Sequence, residues 1–132
     1  MKRFIRTIAA AAIALGGVTV AAAADPIEGV WQTEVDDGAY AHVTVGPCGA
    51  GYCGTITRTF NSSGEYASPN NGKQIVREMV PQGGGRYEGT VWRPSNNKIY
   101  FGKAEVSGNQ MALRGCVAGG LICARQNWVK IQ

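Results

Sequence analysis

From residue 29 to residue 131 the apolar positions keep no 3.6-residue period for longer than about two turns. Short runs rich in Val, Ile, Thr, Tyr and Trp recur instead, separated by Gly, Asn, Asp, Ser and Pro. This pattern predicts an all-β chain. The runs cover residues 29–35, 40–46, 52–60, 73–80, 86–93, 98–106, 110–118 and 121–131. Residues 40–46 alternate best, with Ala41, Val43 and Val45 on one face and Tyr40, His42 and Thr44 on the other. Parallel crossovers need about a dozen residues or more, so the short links impose antiparallel neighbours. Eight strands in meander order suffice to close a small up-and-down barrel, and closure removes exposed edges. The longest gap, 61–72, is expected to be a mobile surface loop available for contacts.

The first 24 residues follow a different pattern. Lys2, Arg3 and Arg6 precede an apolar run from Thr7 to Val20, and Ala21-Ala22-Ala23-Ala24 leads to Asp25-Pro26. A charged start, a short apolar stretch and a small-residue cleavage site make a secretory signal peptide. A membrane anchor fits less well, because the run barely reaches the roughly 20 residues that span a bilayer. The chain therefore reads as residues 1–24, a signal peptide, and 25–132, a single β-barrel domain with no membrane anchor after cleavage. An exported protein is expected.

Cleavage also changes the charge. The whole chain has 13 Lys+Arg against 9 Asp+Glu, a net +4. With Lys2, Arg3 and Arg6 gone the domain is close to neutral, and its remaining cations are scattered singly. Nucleic-acid binding needs them clustered on one face, so nucleic acid is rejected as a partner.

Cys48, Cys53, Cys116 and Cys123 all follow the cleavage point. In an exported chain an even count reads as two disulfides. Zinc is the competing use. The C-x₆-C spacing of the second pair exceeds the usual C-x₂₋₄-C, and the lone His42 makes a poor fourth ligand. Gly119-Gly120 as a two-residue hairpin turn sets Ala118 opposite Leu121 and Cys116 opposite Cys123. With Ala50-Gly51 as the other turn, Cys48 faces Cys53. The expected bridges are thus Cys48–Cys53 and Cys116–Cys123, both on the outer wall or rim because period two turns their side chains away from the lumen.

Several motifs, in order and spacing, carry a family resemblance. Asp25-Pro26 leads into Gly29-Val30-Trp31, and Pro47-Cys48-Gly49 and Tyr52-Cys53-Gly54 follow. Then come Gly72-Lys73, Lys98-Ile99-Tyr100, Arg114-Gly115-Cys116-Val117, Cys123, Gln126 and Trp128. Over nearly all of the domain the chain resembles the bacterial family known as domain of unknown function 2147. The resemblance implies a lipocalin-like barrel, periplasmic or secreted from a bacterium, and no assigned activity. Two stretches depart from the family's usual wording. Trp128-Val129-Lys130-Ile131 stands where Trp-Thr-Arg-Val is common; in lipocalin-like barrels the tryptophan of a Gly-x-Trp like Gly29-Val30-Trp31 plugs the base, and the change would weaken a cation seal there, since Lys stacks less well than Arg. Asn96-Asn97-Lys98-Ile99-Tyr100 stands where Asp-Gly-Lys-Thr-Tyr is common, which alters turn residues only.

No constellation names a reaction. His42 alternates with Tyr40 and Thr44 on a face expected to meet water, without a nucleophile beside it. Asp36-Asp37-Gly38 reads as a turn rather than a cation site. The glutamates are too scattered to form a glycosidase pair. Catalytic residues, metal ligands and cofactors are not expected. Trp31, Phe60, Tyr100 and Trp128 can all be placed inward, as core or as the wall of a ligand cavity. Two roles remain: binding a small apolar ligand, or acting as a protein-interaction module such as an inhibitor or accessory factor of an envelope enzyme.

Overall fold

The computed structural model describes residues 24–132; the signal-peptide reading of residues 1–24 thus falls, but for Ala24, outside the described residues. The strands are β1 Gly29–Gln32, β2 Tyr40–Cys48, β3 Gly51–Asn61, β4 Gly64–Tyr66, β5 Gln74–Gly83, β6 Arg86–Arg93, β7 Lys98–Ser107, β8 Gln110–Val117 and β9 Ile122–Lys130. All pairings are antiparallel. β1, β2, β3, β5, β6, β7, β8 and β9 pair in sequence order, and β9 returns to β1, closing an eight-stranded up-and-down barrel. The short β4 pairs only with the far end of β3.

The lumen takes the apolar face that period two assigns to each strand. Val43 and Val45 of β2, Met79 of β5, Tyr87 of β6, Ala104 and Val106 of β7 and Met111 of β8 are buried there. Gly54 belongs to the same packing. A Cβ on it would lie 2.5 Å from Val76 Cγ2 and 2.8 Å from Val43 Cγ1, so the neighbouring valines occupy the space a side chain would need. At one end the turn Asp25–Glu28 closes the barrel. Ile27 is buried beneath it, and Trp31 is 0% exposed, with Nε1 donating to Ile27 O at 2.8 Å. Lys130 Nζ stands 5.2 Å from the centre of the Trp31 ring and donates to Pro26 O. The cation on the base tryptophan is therefore present, supplied by a lysine.

Three details differ from the sequence reading. The first is Phe60, which points outward. A bulge where β3 passes His42/Val43 leaves Thr57 without a partner, so the inward series Gly54, Ile56 resumes at Thr59. One extra residue reverses every later side chain on the strand. Phe60 then stacks on Tyr40 at 4.9 Å on the outer wall, beside His42 at 4.7 Å.

The second is the β2–β3 hairpin. It turns at Gly49-Ala50 rather than Ala50-Gly51, so Cys48 pairs with Gly51 and Cys53 with Gly46. The Cys48–Cys53 bridge forms all the same, across the diagonal, with Cα atoms 5.7 Å apart. At the other hairpin Cys116 faces Cys123 as the turn predicts, with Cα atoms 4.1 Å apart, and the two are bridged. Such a short separation marks a pair that exchanges no backbone hydrogen bonds. The connecting residues there form a 3₁₀ turn, Ala118–Gly120.

The third is the segment 61–72, which is tied to the barrel. β4 folds onto β3, Arg58 Nε donates to Glu65 at 2.9 Å, Thr59 Oγ1 donates to Asn71 Oδ1, and Gly72 N donates to Ile56 O. Two disulfides accord with an oxidising compartment.

Candidate functional site: the open end of the barrel

The closed end uses up the large side chains near Trp31. Towards the other end the inward positions run to Ile75, Val91, Leu113 and Trp128, and they do not fill the space. A cavity of about 420 Å³ opens there. Ile75, Val91, Leu113 and Trp128 form its apolar wall, with Trp92 and Tyr100 adding aromatic surface. Trp128 is 1% exposed, and its Nε1 donates to Gln126 Oε1 at 2.7 Å, so its polar edge is satisfied within the protein. Tyr100 lies across Gly115, where a Cβ would come within 3.3 Å of its side chain, and its hydroxyl accepts from Asn96 Nδ2 at 2.7 Å. A smaller space of about 100 Å³ adjoins it, shares Glu34, Asp36, Ile75, Pro94 and Gln126, and reaches Thr59 and Ser68.

The rim is polar. Asp36 and Arg93 make a two-pronged ion pair: Arg93 Nε and Nη2 donate to the carboxylate at 2.9 and 2.8 Å, and Ser95 Oγ adds a third bond. The Arg93 hydrogen bond holds the Asp36 carboxyl below the ordinary carboxylate range, against a smaller opposing effect of burial. The turn that presents Asp36 closes by mutual hydrogen bonds with Ala39, with Asp37 and Gly38 at φ of 54° and 79°. Positive φ at both central positions is the type I′ geometry that Asp-Gly favours. Glu34 Oε1 accepts from Asn127 N at 2.8 Å, bridging the gap beside β9 where β1 has ended. Arg125 donates from Nε to Asn127 Oδ1.

Of the four aromatic candidates, the cavity brings together Tyr100 and Trp128. Trp31 seals the opposite end, and Phe60 is outside. Sequence reasoning missed Ile75, Val91, Trp92 and Leu113 as cavity wall and Arg93 with Asp36 as its rim. Alternation does place Val91 and Leu113 inward, but it does not say that space remains beside them. His42 packs its ring on Phe60 and meets Gln32 Oε1 at 3.2 Å. Burial, and then the Arg58 charge, push its pKa down, with Glu65 opposing.

This arrangement can hold a small molecule with an apolar body and a polar end. The comparisons agree with the geometry at the level of the fold. The family described as "uncharacterized protein conserved in bacteria (DUF2147)" matches residues 29–130. Protein HP1028 from the human pathogen Helicobacter pylori, reported to belong to the lipocalin family, has a similar structure. The TM-score is 0.62 at 13% identity, over 80% of this chain and 82% of that one. No curated protein matches the sequence significantly.

Proposed function

This chain belongs to that family of uncharacterised bacterial proteins, and from its lipocalin-like barrel we propose an exported binding protein that takes a small amphipathic ligand into its open end. The supporting observation is the contrast between the two ends. Side chains fill one, and the other keeps about 420 Å³ behind an apolar wall with a polar rim. Ligand pockets of about 300–1,000 Å³ have this make-up. The reading is binding rather than catalysis: among the described residues of the rim, the Ser95 hydroxyl does lie beside the Asp36 carboxylate, but Arg93 engages that carboxylate in a two-pronged ion pair and lowers its pKa, which makes it a poor base for activating a nucleophile. Titration with an anilinonaphthalene sulfonate dye tests the reading. One saturable site is expected, lost in Ala124→Trp, which places an indole at the cavity edge. Absence of saturable binding, or binding untouched by the substitution, contradicts it.

One observation favours a second reading, a protein-interaction module of the bacterial envelope. The β8–β9 tip raises Leu121 and Ile122 into solvent at the same end, 86% and 65% exposed. Capture of an envelope protein that is lost in Leu121→Ser with Ile122→Ser, while the dye still binds, would select it.

A further inference from the structure

The turn that closes the base is built around the backbone nitrogen of Asp25. That nitrogen donates to Glu28 Oε2 at 3.3 Å. Ile27 N donates to Asp25 Oδ1, and Glu28 N to Asp25 O. The same Asp25 carboxylate accepts the Tyr87 hydroxyl from β6. Asp25 thus ties the chain's entry point to the barrel wall through its side chain, while its nitrogen faces a carboxylate.

The charges around that nitrogen are uneven. The Asp25 and Glu28 carboxylates lie on the turn itself. Across from it stand Tyr52 of β3 and Tyr87 of β6, both neutral, and Lys130 of β9, whose Nζ is on Pro26 O. Gln132, the last residue, is nearby, its O accepting from Val30 N. While Ala24 is joined to Asp25 the nitrogen is an uncharged amide, so the carboxylates outnumber the cations. We infer that the Ala24–Asp25 bond is the processing site and that the ammonium group released there completes the base by pairing with Glu28.

The step is a hydrolysis. Water adds across the Ala24–Asp25 amide, a carboxylate leaves on Ala24, and the new amine on Asp25 takes up a proton. The ammonium keeps the Glu28 contact and adds a positive charge to it. This gives the exported form a stabilising pair that the precursor lacks, and the inference rests on the export reading.

The ammonium leaves a signature that an amide bond cannot. An α-amine paired in the folded state titrates above its ordinary range of about 7.7–8.0. Its contribution is then complete below that range and lost as pH rises through the raised value. Tyr52 and Tyr87 are pushed upward by burial and so do not titrate in that window.

The test uses full-length precursor expressed in a bacterium. The chain recovered outside the cytoplasm should begin at Asp25 by intact mass. NMR titration of its amine should give a pKa above 8, with the thermal midpoint falling by about 1–4 °C over the same pH interval. Glu28→Gln should return the amine to its ordinary range and remove that fall, whereas Glu34→Gln should change neither. A different first residue, an uncleaved chain, or an amine that titrates normally and ignores Glu28→Gln overturns the inference.

Discussion

At the scale of single residues, Trp31 and Trp128 do different work in the barrel. Trp31 has no exposure, and its indole nitrogen satisfies the Ile27 carbonyl. Trp31→Ala removes a large buried ring and leaves that carbonyl without its partner. Chemical denaturation should show a loss of about 3–5 kcal/mol. Trp128 belongs to the cavity wall, so its replacement should act on binding as well as on stability. Asp36 shows what a local reading misses. Asp36-Asp37-Gly38 does form the expected turn, but the carboxylate's partner, Arg93, is 57 residues away, and only closure of the barrel brings them together. Because Arg93 depresses the Asp36 pKa, the pair's contribution is present above the ordinary carboxylate value. It is lost as pH falls through the lowered one. Thermal melts of Asp36→Asn should therefore lack part of the wild-type decline in stability below about pH 4, and an identical decline in both would contradict the assignment.

At the scale of elements, strand identity was legible because turn residues punctuate the chain so regularly. Eight predicted runs correspond to the eight barrel strands. Side-chain direction was legible as long as pairing stayed regular. β2 alternates as read, and β3 does so up to the bulge at His42/Val43. Beyond it Phe60 faces the wrong way for the prediction, because an unpaired residue leaves no composition signal and reverses the period. Hairpin register was legible at Gly119-Gly120 and shifted at Gly49–Gly51, where three adjacent small residues suit a turn almost equally well. The bridges staple opposite ends: Cys48–Cys53 lies at the closed end and Cys116–Cys123 beneath the hairpin that borders the mouth. Cys116 is buried, standing opposite Phe101 of β7 and Cys123 of β9. Each bridge closes a short loop, worth about 2–2.5 kcal/mol on the chain-entropy account. Replacing Cys116 and Cys123 together by Ser should cost that much in denaturant midpoint while leaving the far-ultraviolet spectrum of the barrel intact.

At the scale of the molecule, the chain folds as a barrel filled from one end. An eight-stranded barrel is just wide enough to be packed by its own side chains or to hold one small ligand, and this one does both. Trp31, Met79, Tyr87 and Met111 occupy the closed half, and the open half keeps the cavity lined by Trp128, Leu113 and Val91. Residue pattern alone could not divide the lumen in this way. Filled and empty barrels share the same alternation, and the difference lies in how side-chain volumes from eight separated strands add up at one level. The measurement that tests the account most directly is native mass spectrometry of the protein purified from its own cells. The account predicts a small organic molecule retained at one per chain in the wild type and missing from Ala124→Trp. Ligand-free protein in both cases, or the same molecule carried equally by both, would contradict it.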